Sequence, residues 1–375
     1  MKILAIFPGL NPKFDDLAHA IQALTGLGHQ VMVLAARTSE LKSKEVTEIL
    51  EEVDGVSYYR PFMTAREMIE NGLNLSSEIV ANVKSFAPDV IFASSFRGLK
   101  VGRGLALAGV KVPTLMRVEH LDPIQAIYGR RYYLGMPWLG RMLGRAKWRA
   151  NLKHLQGVVT TNAADLYQSQ FYAYLGDRVF YAPHCNQLPQ LRADIASRDR
   201  GLMIYIGSLI RDKHCGRWNE SVEHIFEKTP VERFQIIGDG PFKYVVDSLK
   251  GRFGNRIEHI VSLPRKEALE RLSSAYFAYT EAQFGWGFIG DCWATGTPLL
   301  APNSTYGLAR DFDALMPMSI DRMVADIRRL YVDDTLYQSL SVNGLRRYQN
   351  NHTSSVVAAH YDAAIRSVAA SSGKQ

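Results

Sequence analysis

The sequence has no uninterrupted apolar run of about 18 residues, the length that a membrane-spanning helix needs. Its first nine residues are too short for a secretory signal and have the pattern of a buried strand. Its three cysteines, Cys185, Cys215 and Cys292, are far apart and odd in number, which argues against a disulfide framework and fits a reducing compartment. We therefore expect a cytoplasmic protein.

Several motifs of common enzyme classes are also missing. There is no Walker A motif, no serine-centred nucleophile elbow and no dinucleotide-binding Gly-x-Gly-x-x-Gly. His184-Cys185 and His214-Cys215 are adjacent pairs without the partner spacing of a zinc site. Asp311-Phe312-Asp313 has the Asp-x-Asp form of metal-dependent transferases, but its helical context after the last strand predicts surface acids. We expect neither a metal nor a bound cofactor.

Acidic residues are absent between Asp122 and Asp165, although the whole chain carries a net charge of only +7. Within this gap, residues 128–153 form a basic segment in which positive side chains alternate with aromatic ones. Its predicted contact residues are Arg130, Arg131, Arg141, Arg145, Lys147 and Arg149. Such a segment suits an anionic membrane surface at the inner face of the membrane, or a nucleic-acid phosphate backbone. An ordinary helix pair with a solvated charged face is an equal alternative.

Strands and helices alternate along the chain, which predicts parallel sheets with right-handed crossovers. Predicted strands of the first half are 2–7, 30–35, 90–93, 112–118, 158–161 and 179–183, and those of the second half are 202–206, 234–237, 257–261, 276–280 and 298–301. The polar residues 186–199 between the two series mark a hinge. We predict an α/β protein with an N-terminal domain at 1–185, a C-terminal domain at 200–352 and a last helix within 353–375.

The stretch from Glu281 to Pro302 combines a strand end, a glycine-bearing loop and a helix predicted from about Ile289 to Thr295. Its loop glycines are Gly285, Gly287 and Gly290. A glycine-rich loop that leads into a helix N-terminus offers free backbone N–H groups and the positive end of the helix dipole. We therefore expect an anion site, suited to a phosphate, in this stretch.

Three glycine motifs follow strands of the second half in a fixed order. They are Gly207-Ser208-Leu209 with Lys213, Gly238-Asp239-Gly240-Pro241, and Ala294-Thr295-Gly296-Thr297-Pro298. With the glycine loop before Asp291, they resemble the C-terminal domain of GT-B glycosyltransferases, specifically the GT4-like (glycosyltransferase group 1) family of retaining enzymes, over about residues 202–348. The resemblance implies two Rossmann-like doubly wound domains that face a cleft. It also implies that the last helix packs back on the N-terminal domain.

The resemblance implies roles for individual residues. Lys213 and the backbone of the glycine loop would contact the donor diphosphate, and Asp291 would accept hydrogen bonds from the ribose. The donor-binding residues would be Gly9, Ser208, Lys213, Gly238, Leu263, Gly285, Trp286, Gly287 and Asp291. His120, at the end of a strand, would face the donor sugar or help to position the acceptor.

Two positions depart from the family pattern. Ser208 stands where the family has arginine, and the first of the two family carboxylates falls on Gln283. A two-residue insertion would instead bring Glu281 into that role, and the sequence leaves both alignments open. Because Gln283 cannot carry negative charge, the choice bears directly on catalysis.

The implied function is transfer of a sugar, with retention, from a UDP- or GDP-linked donor to an acceptor hydroxyl of a saccharide or lipid-linked glycan. One alternative is transfer to a hydroxymethylated base in DNA, with the basic segment on phosphates. Another is a non-catalytic sugar-nucleotide-binding protein, because a carboxylate is missing at position 283.

Overall fold

The computed structural model describes residues 1–10, 16–38, 47–118, 154–161, 175–186, 197–213, 215–281, 286–302, 314, 315, 317 and 319–372. The chain divides into two compact units. The N-terminal unit consists of Met1–Cys185 and Ser354–Gln375, and the C-terminal unit of Asn186–Thr353. In the described part of the chain, no helix is long and apolar enough to cross a membrane.

The N-terminal unit contains an eight-stranded sheet in the order β3-β4-β2-β1-β5-β6-β7-β8, parallel except for the antiparallel pair β3 and β4. Its strands are β1 (Lys2–Ile6), β2 (Gln30–Thr38), β3 (Leu50–Val53), β4 (Val56–Thr64), β5 (Val90–Ser94), β6 (Thr114–Val118), β7 (Gly157–Thr160) and β8 (Val179–Tyr181). Its first helices are α1 (Asp16–Gly26), α2 (Ala65–Glu70), α3 (Ser77–Phe86) and α4 (Ser95–Leu107).

Both faces of this sheet are covered, as the apolar run of β1 requires. Ile3 and Ala5 belong to the core on the α1 face, whereas Leu4 and Ile6 belong to the core that contains residues of α2, α3 and α4. Side chains of a strand alternate between faces, so a strand buried on both faces reads as a continuous hydrophobic run.

The C-terminal unit contains a five-stranded parallel sheet in the order β11-β10-β9-β12-β13. Its strands are β9 (Asp199–Ile206), β10 (Arg233–Ile237), β11 (Ile257–Ile260), β12 (Ala275–Tyr279) and β13 (Leu299–Leu300). Its helices are α5 (Trp218–Lys228), α6 (Lys243–Phe253), α7 (Arg265–Ser274), α8 (Trp286–Thr295), α9 (Ile320–Val332) and α10 (Asp334–Asn351). The strand order reverses direction between β9 and β12, which is where open parallel sheets bind ligands.

The two faces of this second sheet carry different helices. Residues of α5, α6 and α9 share a core with Phe277 and Tyr279 of β12. Residues of α7 and α8 share the opposite core with Ala278 of the same strand. A side chain just after β12 can therefore point toward either of these two helix layers.

The last helix, α11 (Ser354–Ser372), belongs to the N-terminal unit. Its apolar side chains, including Val357, Tyr361 and Ile365, are fully buried in the core on the α1 face. Asp362 accepts a hydrogen bond of 2.6 Å from the buried His29, the residue before β2. The helix therefore contributes to the core of the first half of the chain.

Two elements differ from the sequence-based expectation. The hairpin of β3 and β4 is not predicted by the alternation of strands and helices, and Asp54 and Gly55 form its turn with positive φ values of 51° and 78°. In addition, α8 begins at Trp286 rather than near Ile289. Because of this earlier start, Asp291 lies in the second turn of α8 and not at the helix start.

Candidate functional site

The turns that follow β9 and β10 are joined by backbone hydrogen bonds at the carboxyl edge of the second sheet. The Leu209 N–H donates to the Asp239 carbonyl at 2.8 Å, and the Phe242 N–H donates to the Leu209 carbonyl at 2.9 Å. The Gly207 N–H donates to the Ile237 carbonyl at 2.9 Å. The two glycine motifs therefore form one connected structure.

Gly238 and Gly240 allow this close approach of two backbones. A Cβ atom at Gly238 would lie 1.8 Å from the Gly207 carbonyl oxygen, and one at Gly240 would lie 2.4 Å from the Leu209 carbonyl oxygen. Both glycines also have φ near +150°, at 154° and 151°, which L side chains rarely adopt. The geometry thus explains why two glycines occur with this spacing, independently of any ligand.

Three other predicted donor-binding residues lie in these two turns and in the β11–α7 connection. Lys213 ends a 3₁₀ turn (Arg211–Lys213), with its side chain partly buried. Ser208 is exposed, and its carbonyl accepts a hydrogen bond from the Tyr205 hydroxyl at 3.1 Å. Leu263 is partly buried, two residues before α7.

Among the described residues, two side chains donate hydrogen bonds to the Asp291 carboxylate from different directions. Arg265, the first residue of α7, donates from Nη2 to Oδ1 at 2.9 Å and from Nη1 to Oδ2 at 3.2 Å. Asn186 donates from Nδ2 to Oδ1 at 3.0 Å and also to the Gly287 carbonyl at 3.0 Å. The Asp291 side chain is 7% exposed, whereas that of Arg265 is 43% exposed. The carboxylate is thus covered by a guanidinium.

Glu281, two residues beyond β12, is turned toward the α5 face. Its Oε1 accepts hydrogen bonds from Ser221 Oγ of α5 at 2.5 Å and from the Tyr279 hydroxyl. Burial and the Glu281 carboxylate raise the pKa of Tyr279 well above its usual value, so Tyr279 keeps its proton and acts as the donor. Glu281 and Asp291 are therefore bound to helices on opposite faces of the sheet.

Glu281 also lines a cavity of about 350 Å³ beside α5 and α9. Its lining residues are Arg217, Glu220, Ser221, Glu281, Pro302, Pro317, Ser319, Ile320 and Met323.

Close to this cavity, burial raises the pKa of the Cys215 thiol to about 11, so this cysteine is protonated at neutral pH and is a poor nucleophile. Among the described residues, no group of three histidine, cysteine or acidic side chains could hold a metal ion.

Solved structures with the same arrangement of elements cover almost the whole chain. A sucrose-phosphate synthase from Thermosynechococcus elongatus matches with a TM-score of 0.75 at 16% identity, covering 99% of this chain and 100% of that one. A UDP-forming α,α-trehalose-phosphate synthase from Burkholderia xenovorans in complex with glucose-6-phosphate matches with a TM-score of 0.70 at 13% identity, covering 98% and 100%. The fold is GT-B.

A third GT-B match is HepE from Anabaena in complex with UDP and glucose, with a TM-score of 0.65, 13% identity, and coverage of 98% of this chain and 100% of that one. No protein-family model and no curated protein matches the sequence. The predicted fold class, two Rossmann-like units of the GT-B type, is confirmed.

Several predicted site residues of this GT-B protein lie outside the described residues. They are His120, Gln283 and Gly285, together with the basic-segment residues Arg130, Arg131, Arg141, Arg145, Lys147 and Arg149. Trp286 is the first residue of α8, and Gly287 is exposed in its first turn. Gly9 lies in the N-terminal unit after β1, where a Cβ atom would meet no heavy atom within 4 Å.

Sequence reasoning missed Arg265, Asn186, Ser221 and Tyr279. A signal for Arg265 was present, because a cation in the first turn of a helix opposes the helix dipole and so calls for a specific partner. For Tyr279 the signal was the alternation of β12, which places it on the same side as Glu281, the acceptor of its hydroxyl hydrogen bond.

Proposed function

We propose that the protein is a retaining glycosyltransferase that moves a sugar from a UDP- or GDP-linked donor to an acceptor hydroxyl of a saccharide or lipid-linked glycan. The observation that carries the proposal is the connected pair of glycine turns at the carboxyl edge of a GT-B C-terminal unit, with Lys213 seven residues after β9. The matched structures named with UDP and with sugar phosphates support the donor class.

The proposed chemistry needs no metal. Lys213 and the first-turn N–H groups of α8 would stabilise the diphosphate as it leaves, since helix N-termini and lysines favour phosphate charge. Groups already oriented toward developing charge lower the barrier without reorganising during the reaction. Under this proposal, UDP binding is unchanged when EDTA is added.

The test is titration of the purified protein with UDP and with GDP, followed by mass spectrometry of reactions with a panel of sugar nucleotides. We expect Lys213→Ala to weaken nucleotide binding by about tenfold or more, as expected for the loss of a charge-assisted hydrogen bond. Lys250→Ala is the matched control, because Lys250 is exposed in the last turn of α6. Equal affinities of the wild type and Lys213→Ala would contradict the proposal.

A second candidate is a sugar-nucleotide-binding protein without catalysis. It is favoured by one observation: Glu281 is bound by Ser221 and Tyr279 on one face while Asp291 is bound by Arg265 on the other. Donor hydrolysis or transfer that is lost in Lys213→Ala would exclude this candidate. Nucleotide binding without any turnover of the donor panel would support it.

The acceptor is a separate part of the proposal. The basic segment suits a lipid-linked acceptor at an anionic membrane, and the alternative is a hydroxymethylated base in DNA. Co-sedimentation with anionic liposomes and with duplex DNA at two salt concentrations distinguishes the two. Binding to neither would favour a small saccharide acceptor.

A further inference from the structure

In the ion pair between Arg265 and Asp291, the cation is partly exposed at the carboxyl edge of the second sheet and the anion is buried. Arg265 begins α7 and Asp291 lies in the second turn of α8, and these helices follow β11 and β12. The guanidinium side chain is 43% exposed and the carboxylate side chain 7% exposed. A ligand at this edge would therefore meet the guanidinium before the carboxylate.

Asp291 is fixed from the protein interior as well. Asn186 is fully buried, and its Nδ2 donates both to Asp291 and to the Gly287 carbonyl of the same helix. The Asn186 side chain packs against Gly290 in space that a larger residue would need. A Cβ atom at Gly290 would lie 2.1 Å from Asn186 Oδ1. The carboxylate thus has a defined position between a buried amide and a half-exposed guanidinium.

This arrangement disfavours direct contact between Asp291 and a ribose. A ribose hydroxyl that displaced Arg265 would leave the largely buried Asp291 carboxylate without this ion pair. Leaving a buried carboxylate without its ion pair is unfavourable, and one neutral hydrogen bond returns less free energy. Asp291 is better suited to orient Arg265 than to bind the ligand itself.

We propose that Arg265 contacts the nucleoside diphosphate through its N–H donors, and that Asp291 is a positioning residue that holds the guanidinium in place. A guanidinium is a planar group of donors, so its partners are the oxygen acceptors of the nucleotide. This inference rests on the proposed function, since it assigns a contact in the same nucleotide site. It assigns Asp291 a role different from the direct ribose contact that the family resemblance implied.

The experiment compares UDP affinity and thermal unfolding for the wild type, Arg265→Ala, Asp291→Asn and the double variant. Arg265→Ala should weaken UDP binding by about tenfold and lower the unfolding temperature, because the Asp291 carboxylate loses its ion pair with Arg265. The double variant should regain unfolding temperature, since the neutral amide of asparagine replaces a buried carboxylate that has lost its ion pair with Arg265. Its UDP affinity should stay as low as that of Arg265→Ala.

Recovery of UDP affinity together with stability in the double variant would show a purely structural role for Arg265 and overturn the inference. A further loss of affinity from Asp291→Asn in the Arg265→Ala background would also overturn it, because Asp291 would then contact the nucleotide itself. Arg265→Lys should restore part of the affinity. Arg271→Ala is the matched control, an exposed ion-paired arginine of α7.

The outcome is separable from that of the proposed function. If the wild type binds UDP and Lys213→Ala does not, the proposed site stands, and an unchanged affinity in Arg265→Ala overturns only the inference. If the wild type binds neither UDP nor GDP, the proposed function itself fails.

Discussion

Among the described glycines of the C-terminal unit, Gly238 has the least room for a Cβ atom. A Cβ atom there would lie 1.8 Å from the Gly207 carbonyl oxygen, and the φ of 154° disfavours any L side chain. We expect Gly238→Ala to lower the free energy of unfolding by on the order of 3 kcal/mol, because both turns must separate. Thermal unfolding of the full chain measures the effect.

Gly251 provides the control for this prediction in the same unit. It lies inside α6, and a Cβ atom there would meet no heavy atom within 4 Å. Alanine is favoured over glycine in a helix by about 1 kcal/mol, so Gly251→Ala should raise the unfolding temperature slightly. If both alanine variants unfold at the wild-type temperature, the close approach at Gly238 has been misjudged.

For individual residues, the sequence predicted which residue types the site contains better than it predicted their hydrogen-bond partners. At Gly238 and Gly240 the φ values of 154° and 151° favour glycine for a local reason, whereas their close approach to Gly207 and Leu209 depends on a second turn. Asp291 was expected to accept hydrogen bonds from a ribose, yet it accepts them from Arg265, which lies 26 residues earlier in the chain. No local pattern connects two such positions, and only the packing of α7 beside α8 brings them together.

At the scale of secondary structure elements, α11 gives the clearest case of a helix that stabilises a distant part of the chain. Tyr361 is fully buried, its ring lies 5.0 Å from that of Phe92, and its hydroxyl accepts a hydrogen bond of 3.0 Å from Arg117 Nε. Tyr361→Ala should cost about 3–5 kcal/mol of stability, and Tyr361→Phe about 1–2 kcal/mol. Urea unfolding of both variants measures this difference.

Ser367→Ala, at an exposed position of α11, is the control and should change stability by less than about 0.5 kcal/mol. Equal effects of the alanine and phenylalanine variants at position 361 would mean that ring packing contributes nothing beyond the hydroxyl. Such a result would argue against α11 as part of the N-terminal core.

The strands were predictable because parallel strands buried on both faces form continuous apolar runs with glycine or proline turns between them. The hairpin of β3 and β4 was missed, since Leu50–Val53 is a short edge strand with alternating exposure. Its signal was the dipeptide Asp54-Gly55, which favours a tight hairpin turn. The start of α8 was misplaced because Gly287 and Gly290 read as loop residues, although Asn186 packs against both in the helix.

At the scale of the whole molecule, sequence periodicity was sufficient for two α/β halves, and the order of glycine motifs was sufficient for the GT-B fold. Neither the periodicity nor the motifs could predict on which face of the second sheet the Glu281 and Asp291 carboxylates lie. That information depends on which helices cover each face of the second sheet, which is a property of the assembled unit. The site is therefore less predictable than the fold that carries it.

The whole C-terminal unit also has a predictable response to alkaline pH. Burial raises the pKa of Cys215 to about 11 and that of Tyr337 to about 12, and burial also raises the pKa values of Tyr205, Tyr279 and Cys292. A raised folded-state pKa stabilises the protein fully below the unfolded-state value, which is about 8.5 for cysteine and about 10 for tyrosine. This stabilisation is lost as pH rises through the folded-state value.

We therefore expect the unfolding temperature to be nearly constant from pH 7 to about 8.5 and to fall progressively between about pH 9 and 11. Each group contributes at most about 1.4 kcal/mol per pH unit within its own window. Tryptophan emission follows the unfolding and includes the C-terminal unit, in which Trp218 and Trp293 are buried. Cys215→Ala should show a shallower decline between pH 9 and 11 than the wild type, whatever its stability at pH 7. Parallel curves for the two proteins would mean that the Cys215 thiol does not contribute to the alkaline response.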